Sequence, residues 1–337
     1  MKRAWGKLGG LAPLITCLAL FLFFSLITDT FLTRENLLNI LRQNSALAIM
    51  AVGITFVLLT AEIDLSIENV AIFAGVLTAY LYQSFAAHPG MPPVLQQSLP
   101  ILIALAASAC FGLISGLGTS RLGVPSFMMT LAMFLIAKGF SLKITRGSPI
   151  FQVPPVLAYL GTQSLVPLDF TSAKGGPGFR LEIPLITVVA FLFLAVALVV
   201  LRYTRFGRNV YAVGGNRQAA ALSGVNVART LTACLCVCSI TAAFSGIVLI
   251  GRLGSAQAGG LDNMLIACIS AVVLGGTSLF GGKGGIANTL IGVLTFGTLY
   301  NGLNHVQIDI YLKESITGAI LLAALVLNVT MARVRAV

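Results

Sequence analysis

Apolar runs of roughly 18–25 residues recur along this chain, almost free of charge, which is the length a helix needs to cross a hydrocarbon core about 30 Å thick. The runs do not alternate with period two, as the roughly ten-residue strands of a membrane barrel would. Inside lipid every backbone N–H and C=O must find a partner within the protein, so a spanning chain is helical or a closed barrel. Run length selects the helix. Composition agrees: 57% of the 337 residues are apolar and 9% are charged, with a mean hydropathy of +0.97. Soluble domains carry about 25% charged residues, and one soluble core of this size could not bury so much apolar surface.

The expected fold is therefore all-α: a polytopic membrane protein of about ten transmembrane helices forming one domain over residues 1–337. The expected spans are Leu11–Thr28, Gln43–Thr60, Asn69–Phe85, Leu99–Ser120, Ser126–Ile144, Ile183–Arg202, Val227–Gly251, Met264–Phe280, Ile286–Leu303 and Leu312–Thr330. The polar stretch Ala61–Glu68 divides the second from the third, and Gly281–Gly285 divides the eighth from the ninth. Lys2, Arg3 and Lys7 before the first run resemble a secretory signal. The run is long for a cleaved signal, and no small-x-small site precedes Asp29, so it reads as a retained helix.

Charge orients the bundle. With the N-terminus cytoplasmic, the cytoplasmic segments hold twelve of the 21 basic residues against Glu62, Asp64 and Glu68. The outer loops hold eight basic residues against seven acids. Lys and Arg concentrate on cytoplasmic loops, which places both termini inside. The basic total is thus a topology signal; no basic stripe with interleaved aromatics points to nucleic acid. The longest outer loop is about 145–182 and the longest inner one about 203–226. Neither has room for a domain that hydrolyses ATP. Cys234, Cys236 and Cys238 turn by about 200° per step on a helix and cannot share one face as metal ligands. They read as small core residues. No paired His, metal-ligand cluster or nucleophile–base arrangement is visible, so neither a cofactor nor a membrane enzyme is expected.

Two segments stand out chemically. The first is Tyr203–Val225, YTRFGRNVYAVGGNRQAAALSGV. Gly214-Gly215-Asn216 is turn chemistry with access to positive φ. Asn216 would cap a short Ala-rich helix over Gln218–Leu222, stopped by Gly224. An ordinary positive-inside loop and a docking element for a cytoplasmic partner fit equally. The second is the acidic stretch with Glu62, Asp64 and Glu68. A carboxylate at membrane depth costs about 2.5–3.5 kcal/mol on insertion scales and should face a cavity, a partner or water. Interrupted helices often mark transport sites. The plainer reading is a polar turn in which Asp64 and Ser66 cap the next helix. Gly276–Lys283 has the wrong spacing for a P-loop and reads as a helix-breaking turn. Glycines at 112, 116, 292 and 297 suit close helix packing.

Tyr203–Val225 closely resembles the cytoplasmic loop of permeases in the ribose, xylose, arabinose and galactoside class of ABC importers. That family's pattern is roughly T-x-F-G-R-x-V-Y-A-x-G-G-N-x-x-A-A-x-x-S-G-I. TAEIDLSIEN (60–69), VPSFMMTLAM (124–133), RLGSAQ (252–257), GGTSLFGGKGG (275–285) and YNGL (300–303) are similar to further family blocks, in the family's order. The resemblance implies a bacterial inner-membrane permease with no catalysis of its own. Its partners would be a second permease copy, identical or related, a cytoplasmic ATP-binding-cassette ATPase and a periplasmic sugar-binding protein, in membrane lipid. It implies that Gly214, Gly215, Asn216, Ala219, Ala220 and Gly224 belong to the coupling helix, with Arg208 and Arg217 adding charge contacts. Candidate pathway or gating residues are Asn44, Asp64, Ser66, Asn69, Phe127, Thr130 and Asn301. The cargo would be a monosaccharide or related polyol, moved by alternating access.

The chain departs from the pattern at four positions where an acid is gained or lost. Glu62 and Glu68 stand where glycines are usual, and Leu265 and Ala267 stand where the family has the acids of E-L-D-A. Asp262 offers an acid near the outer surface. The competing expectation is a secondary transporter or channel acting alone, which would draw on Lys138 and the acids at 62–68 for ion coupling.

Overall fold

The computed structural model describes residues 12–88, 90–165, 168–170, 179–259, 263–306, 309, 312, 313, 315–320, 322, 323 and 326. In order, the helices are α1 (Ala12–Ile27), α2 (Arg34–Leu59), α3 (Ile67–Ala86), α4 (Pro93–Arg121), α5 (Ser126–Thr145) and α6 (Pro155–Thr162). A small hairpin follows, β1 (Leu168–Phe170) paired antiparallel with β2 (Phe179–Leu181). Then come α7 (Leu185–Tyr203), α8 (Arg205–Gly215), α9 (Arg217–Leu222), α10 (Val227–Leu253), α11 (Met264–Leu274) and α12 (Ile286–His305). Proline precedes or opens α4, α5, α6 and α7. There its fixed φ is pre-organised for the helix and its missing N–H costs nothing.

Six of these helices, α2, α3, α4, α5, α7 and α10, are long and apolar enough to cross a membrane; α1 and α11 are apolar but shorter. The molecule is a polytopic helical membrane protein. The second expected span is longer than hydropathy indicated, because α2 begins at Arg34 rather than Gln43. Its first turns are polar, yet they are helical and packed: Asn36 is buried and exchanges hydrogen bonds with Asn301. The stretch 145–182, expected as an outer loop, contains α6 and the hairpin. The 203–226 stretch holds two helices instead of one. Most of the expected span Leu312–Thr330 lies outside the described residues, although 315–320 is helical.

The core is built around α10, which packs against α2, α3, α4 and α6. With lipid outside, helices associate by close packing, and small residues at the seams let backbones approach. A Cβ on Gly112 would stand 2.7 Å from Cys236 Cα, and one on Gly116 would stand 2.7 Å from Thr232 Cα. Cys234 and Cys238 are buried in the same cluster as Leu58, Ile67 and Ala71. Long apolar side chains on α5 and α7, such as Leu135, Phe140 and Leu192, are exposed, as lipid-facing positions require.

Candidate docking element and translocation cavity

The short helices α8 and α9 form one element whose ends are set by side-chain caps. Thr204 Oγ1 accepts from the Gly207 N–H at 3.1 Å, and Asn216 Oδ1 accepts from the Ala219 N–H at 2.9 Å. The sequence expectation of an Asn216-capped helix stopped at Gly224 is met: α9 begins one residue earlier, and Gly224 has φ +83°. The expectation for Gly214-Gly215 is corrected. Both are helical, the last residues of α8, and the break falls at Asn216 in extended geometry. Gly214 is small for a different reason. A Cβ there would overlap the Leu59 carbonyl oxygen and lie 2.7 Å from Gly282 N, whereas a Cβ on Gly215 would meet nothing within 4 Å. Ala220 is buried with Val213 and Leu231, while Arg208, Ala219 and Leu222 are exposed.

This element rests on two helix breaks at once. The first is the turn between α2 and α3, the second the glycine turn between α11 and α12. Gly282 N–H donates to Leu59 O at 2.9 Å, joining the two breaks. Tyr211 of α8 donates to Gly284 O at 2.9 Å. Burial pushes the Tyr211 phenol above its ordinary pKa, keeping it a donor. Arg217 of α9 pairs with Glu62 at 2.6 Å, and only 11% of the Glu62 side chain is exposed. Glycines at 276, 281, 282, 284 and 285 all have positive φ, as expected of a glycine-rich turn.

Inside the first break Asp64 is fully buried. Its Oδ1 accepts from both the Ser66 N–H (2.8 Å) and the Ser66 hydroxyl (2.6 Å), while Oδ2 has no hydrogen-bond partner. Ser66 stands at the N-cap position of α3 without a side-chain cap, so within the turn Asp64 supplies the side-chain acceptor. The first turn of α5 pegs the same segment: Ser126 Oγ accepts from Ile63 N–H and Thr130 Oγ1 from Leu65 N–H, at 3.2 and 3.0 Å. Asp64, Ser66 and Thr130 therefore meet. Asn69 is buried one turn into α3, and Phe127 is exposed. Glu68 reaches across to α11, where its Oε2 accepts from the Leu265 N–H at 2.7 Å. A carboxylate at a helix N-terminus answers its free amides and its dipole.

At the opposite end of α2 and α12 lies a cavity of about 520 Å³. It falls in the roughly 300–1,000 Å³ range of small-molecule sites. Asn44 and Asn301, two sequence candidates, line it together with Gln43, Arg252, Asn263 and Tyr300. Leu47 and Phe296 add apolar wall. Asn44 donates to Ile40 O, and Asn301 is fixed by Asn36. Asp64, Ser66, Asn69, Phe127 and Thr130 are not among its lining residues. Sequence reasoning did not single out Arg252; its signal was a cation in the last turn of a long apolar helix. Asp262, expected as an acid nearby, lies outside the described residues.

A helical membrane domain with interrupted helices, a cavity carrying several amide side chains at one end and a surface element seated on the interruptions at the other has the features expected of a membrane permease. Residues 36–325 match the family described as branched-chain amino acid transport system / permease component, and the chain belongs to that family. It is 35% identical over 321 residues to the ribose import permease protein RbsC of Escherichia coli K12, covering 94% of this chain and 92% of the relative. It is 35% identical over 323 residues to RbsC of Bacillus subtilis 168, covering 96% and 94%. The xylose transport system permease protein XylH of E. coli K12 is 30% identical over 355 residues, covering 91% and 88%. No solved structure matches the chain significantly. The resemblance seen in Tyr203–Val225 is borne out, and the chain is a multi-pass inner-membrane permease.

Proposed function

We propose that this chain is the membrane subunit of an ABC importer for a monosaccharide or related polyol, moved by alternating access. Ten spans, both termini cytoplasmic and a second permease copy complete the arrangement. A periplasmic binding protein delivers cargo to the cavity at Asn44 and Asn301. The exposed faces of α8 and α9, with Arg208 and Ala219, receive a cytoplasmic ATPase. The observation that carries this reading is the seating of α8 and α9: Gly214 on Leu59, Tyr211 on Gly284 and Arg217 on Glu62 link one surface element to both helix breaks. A push on that element moves α2, α3, α11 and α12 together. The named sugar permeases among the relatives support the cargo class.

The test is uptake of labelled ribose, xylose, ribonate and ribose 5-phosphate, each offered separately, into proteoliposomes containing the chain, with and without its neighbouring ATPase and binding protein. Uptake that requires both partners and ATP is expected. Uptake by the chain alone, driven by an ion gradient, would establish the stand-alone transporter instead.

A further inference from the structure

The cavity has an unbalanced charge. Among the described residues that line it, Arg252 is the single ionisable group besides the Tyr300 phenol, and no described Asp or Glu contributes to the wall. Arg252 lies in the last turn of α10 and is only half-exposed. Its Nη1 approaches the Arg42 carbonyl oxygen at 3.5 Å, a long and weak contact. Arg42 sits beside it, and its Nε is buried without a hydrogen-bond partner. Neither arginine is in an ion pair with a described residue, unlike Arg34, which pairs with Glu182, and Arg217, which pairs with Glu62. Lys313, which donates to Asn304 Oδ1, lies 3.2 Å from the centroid of the Tyr300 ring, which forms part of the wall. Glu68 accepts from the Leu265 N–H at the start of α11 and is not part of the lining. Ala267, where the resemblance would place a carboxylate, forms part of the wall.

We infer that the cargo carries an acidic group: a sugar acid or sugar phosphate whose anion binds the Arg252 guanidinium. This rests on the transport reading above. A guanidinium presents a planar fork of N–H donors that matches a carboxylate or a phosphate. In a half-buried site that fork is costly to leave without an anion. Asn44, Asn301, Gln43 and Asn263 supply amide donors and acceptors suited to hydroxyl groups, and Phe296 offers an apolar face for a sugar ring. A neutral sugar would satisfy the amides and leave Arg252 unanswered.

The full chain in nanodiscs is titrated with potassium D-ribonate, D-ribose 5-phosphate, D-ribose and potassium chloride, following thermal unfolding and direct binding. At least one of the two acids is expected to bind about tenfold more tightly than ribose, the increment of a charge-assisted contact. The carboxylate and phosphate arms distinguish the two forms of the anion. Arg252→Gln should lose the preference. Should that variant fold poorly, Ala267→Asp, which returns an acid to the wall, should abolish it while Ala267→Asn keeps it. Ribose binding as tightly as both acids, acids binding Ala267→Asp as well as the parent, or no binding by either acid would each overturn the inference. Failure of the importer reading shows separately, as uptake that does not require ATP whichever solute is offered.

Discussion

At the scale of single residues, what is buried and unpaired says more than what is polar. Asp64 keeps one carboxylate oxygen on Ser66 and leaves the other without a hydrogen-bond partner. If its task is to shape the turn, an amide serves equally, because Asn retains the accepting oxygen. Asp64→Asn should insert normally and transport at close to the parent rate, while Asp64→Leu removes the acceptor and leaves Ser66 N–H orphaned, at a cost of about 1–3 kcal/mol. Loss of transport in Asp64→Asn, measured by uptake in proteoliposomes, would assign the ionised form a direct part in transport. The adjacent glycines make a second comparison. Gly214→Ala forces a methyl against the Leu59 carbonyl and should cost about 1–3 kcal/mol in thermal unfolding. Gly215→Ala enters open space at a helix end and should be neutral or slightly stabilising, within about 1 kcal/mol. Equal effects at the two positions would remove the close approach as the reason for Gly214. From sequence the pair looked like one turn, because glycine required by contact and glycine required by φ are written with the same letter.

At the scale of elements, the legible features were local and the hidden ones were contacts between distant segments. The Asn216 cap and the Gly224 stop depend on residues within one turn, and both were readable. The polar opening of α2 was lost because its partner, Asn301, is 265 residues away. Helix α6 was lost because an eight-residue segment gives hydropathy little to work with, although Pro154-Pro155 marked its start. Asn44 and Asn301 were legible as amides on apolar helices and line the cavity, whereas Phe127 is exposed on α5 and is not part of that lining. The pair of Glu62 with Arg217 was also invisible, yet it ties α9 to the first helix break. Arg217 is about half exposed, so the bond itself should contribute on the order of 1 kcal/mol to stability. Its larger effect should be mechanical. Glu62→Gln and Arg217→Gln should each leave ATP hydrolysis by the assembled transporter running while uptake falls several-fold, and the double variant should fall no further than either single one, as expected for two ends of one link. Additive losses, read as uptake per ATP hydrolysed, would show that the two residues act separately.

At the scale of the whole molecule, function depends on which face of the bundle meets which compartment. The cavity lies at the N-terminal half of α2, and the α8–α9 element at its C-terminal end, so one orientation fixes both. Basic residues crowd the side that carries α8 and α9, with Arg202, Arg205, Arg208, Arg217 and Arg229 all in or beside that element. Moving these charges across a membrane during insertion opposes the positive-inside bias. The cytoplasmic placement can be measured without any assumption about cargo. Leu222 is 91% exposed at the end of α9, and Gln163 is exposed just after α6, at the opposite end of the bundle. In intact cells a membrane-impermeant maleimide should label Gln163→Cys and spare Leu222→Cys, with the parent's own cysteines as background; in inverted vesicles the two should exchange. Replacing Arg202, Arg205 and Arg208 with Gln together should weaken that asymmetry. Labelling of Leu222→Cys from outside intact cells would invert the molecule, exposing the α8–α9 element to a compartment without ATP and removing the physical basis for a cytoplasmic ATPase partner.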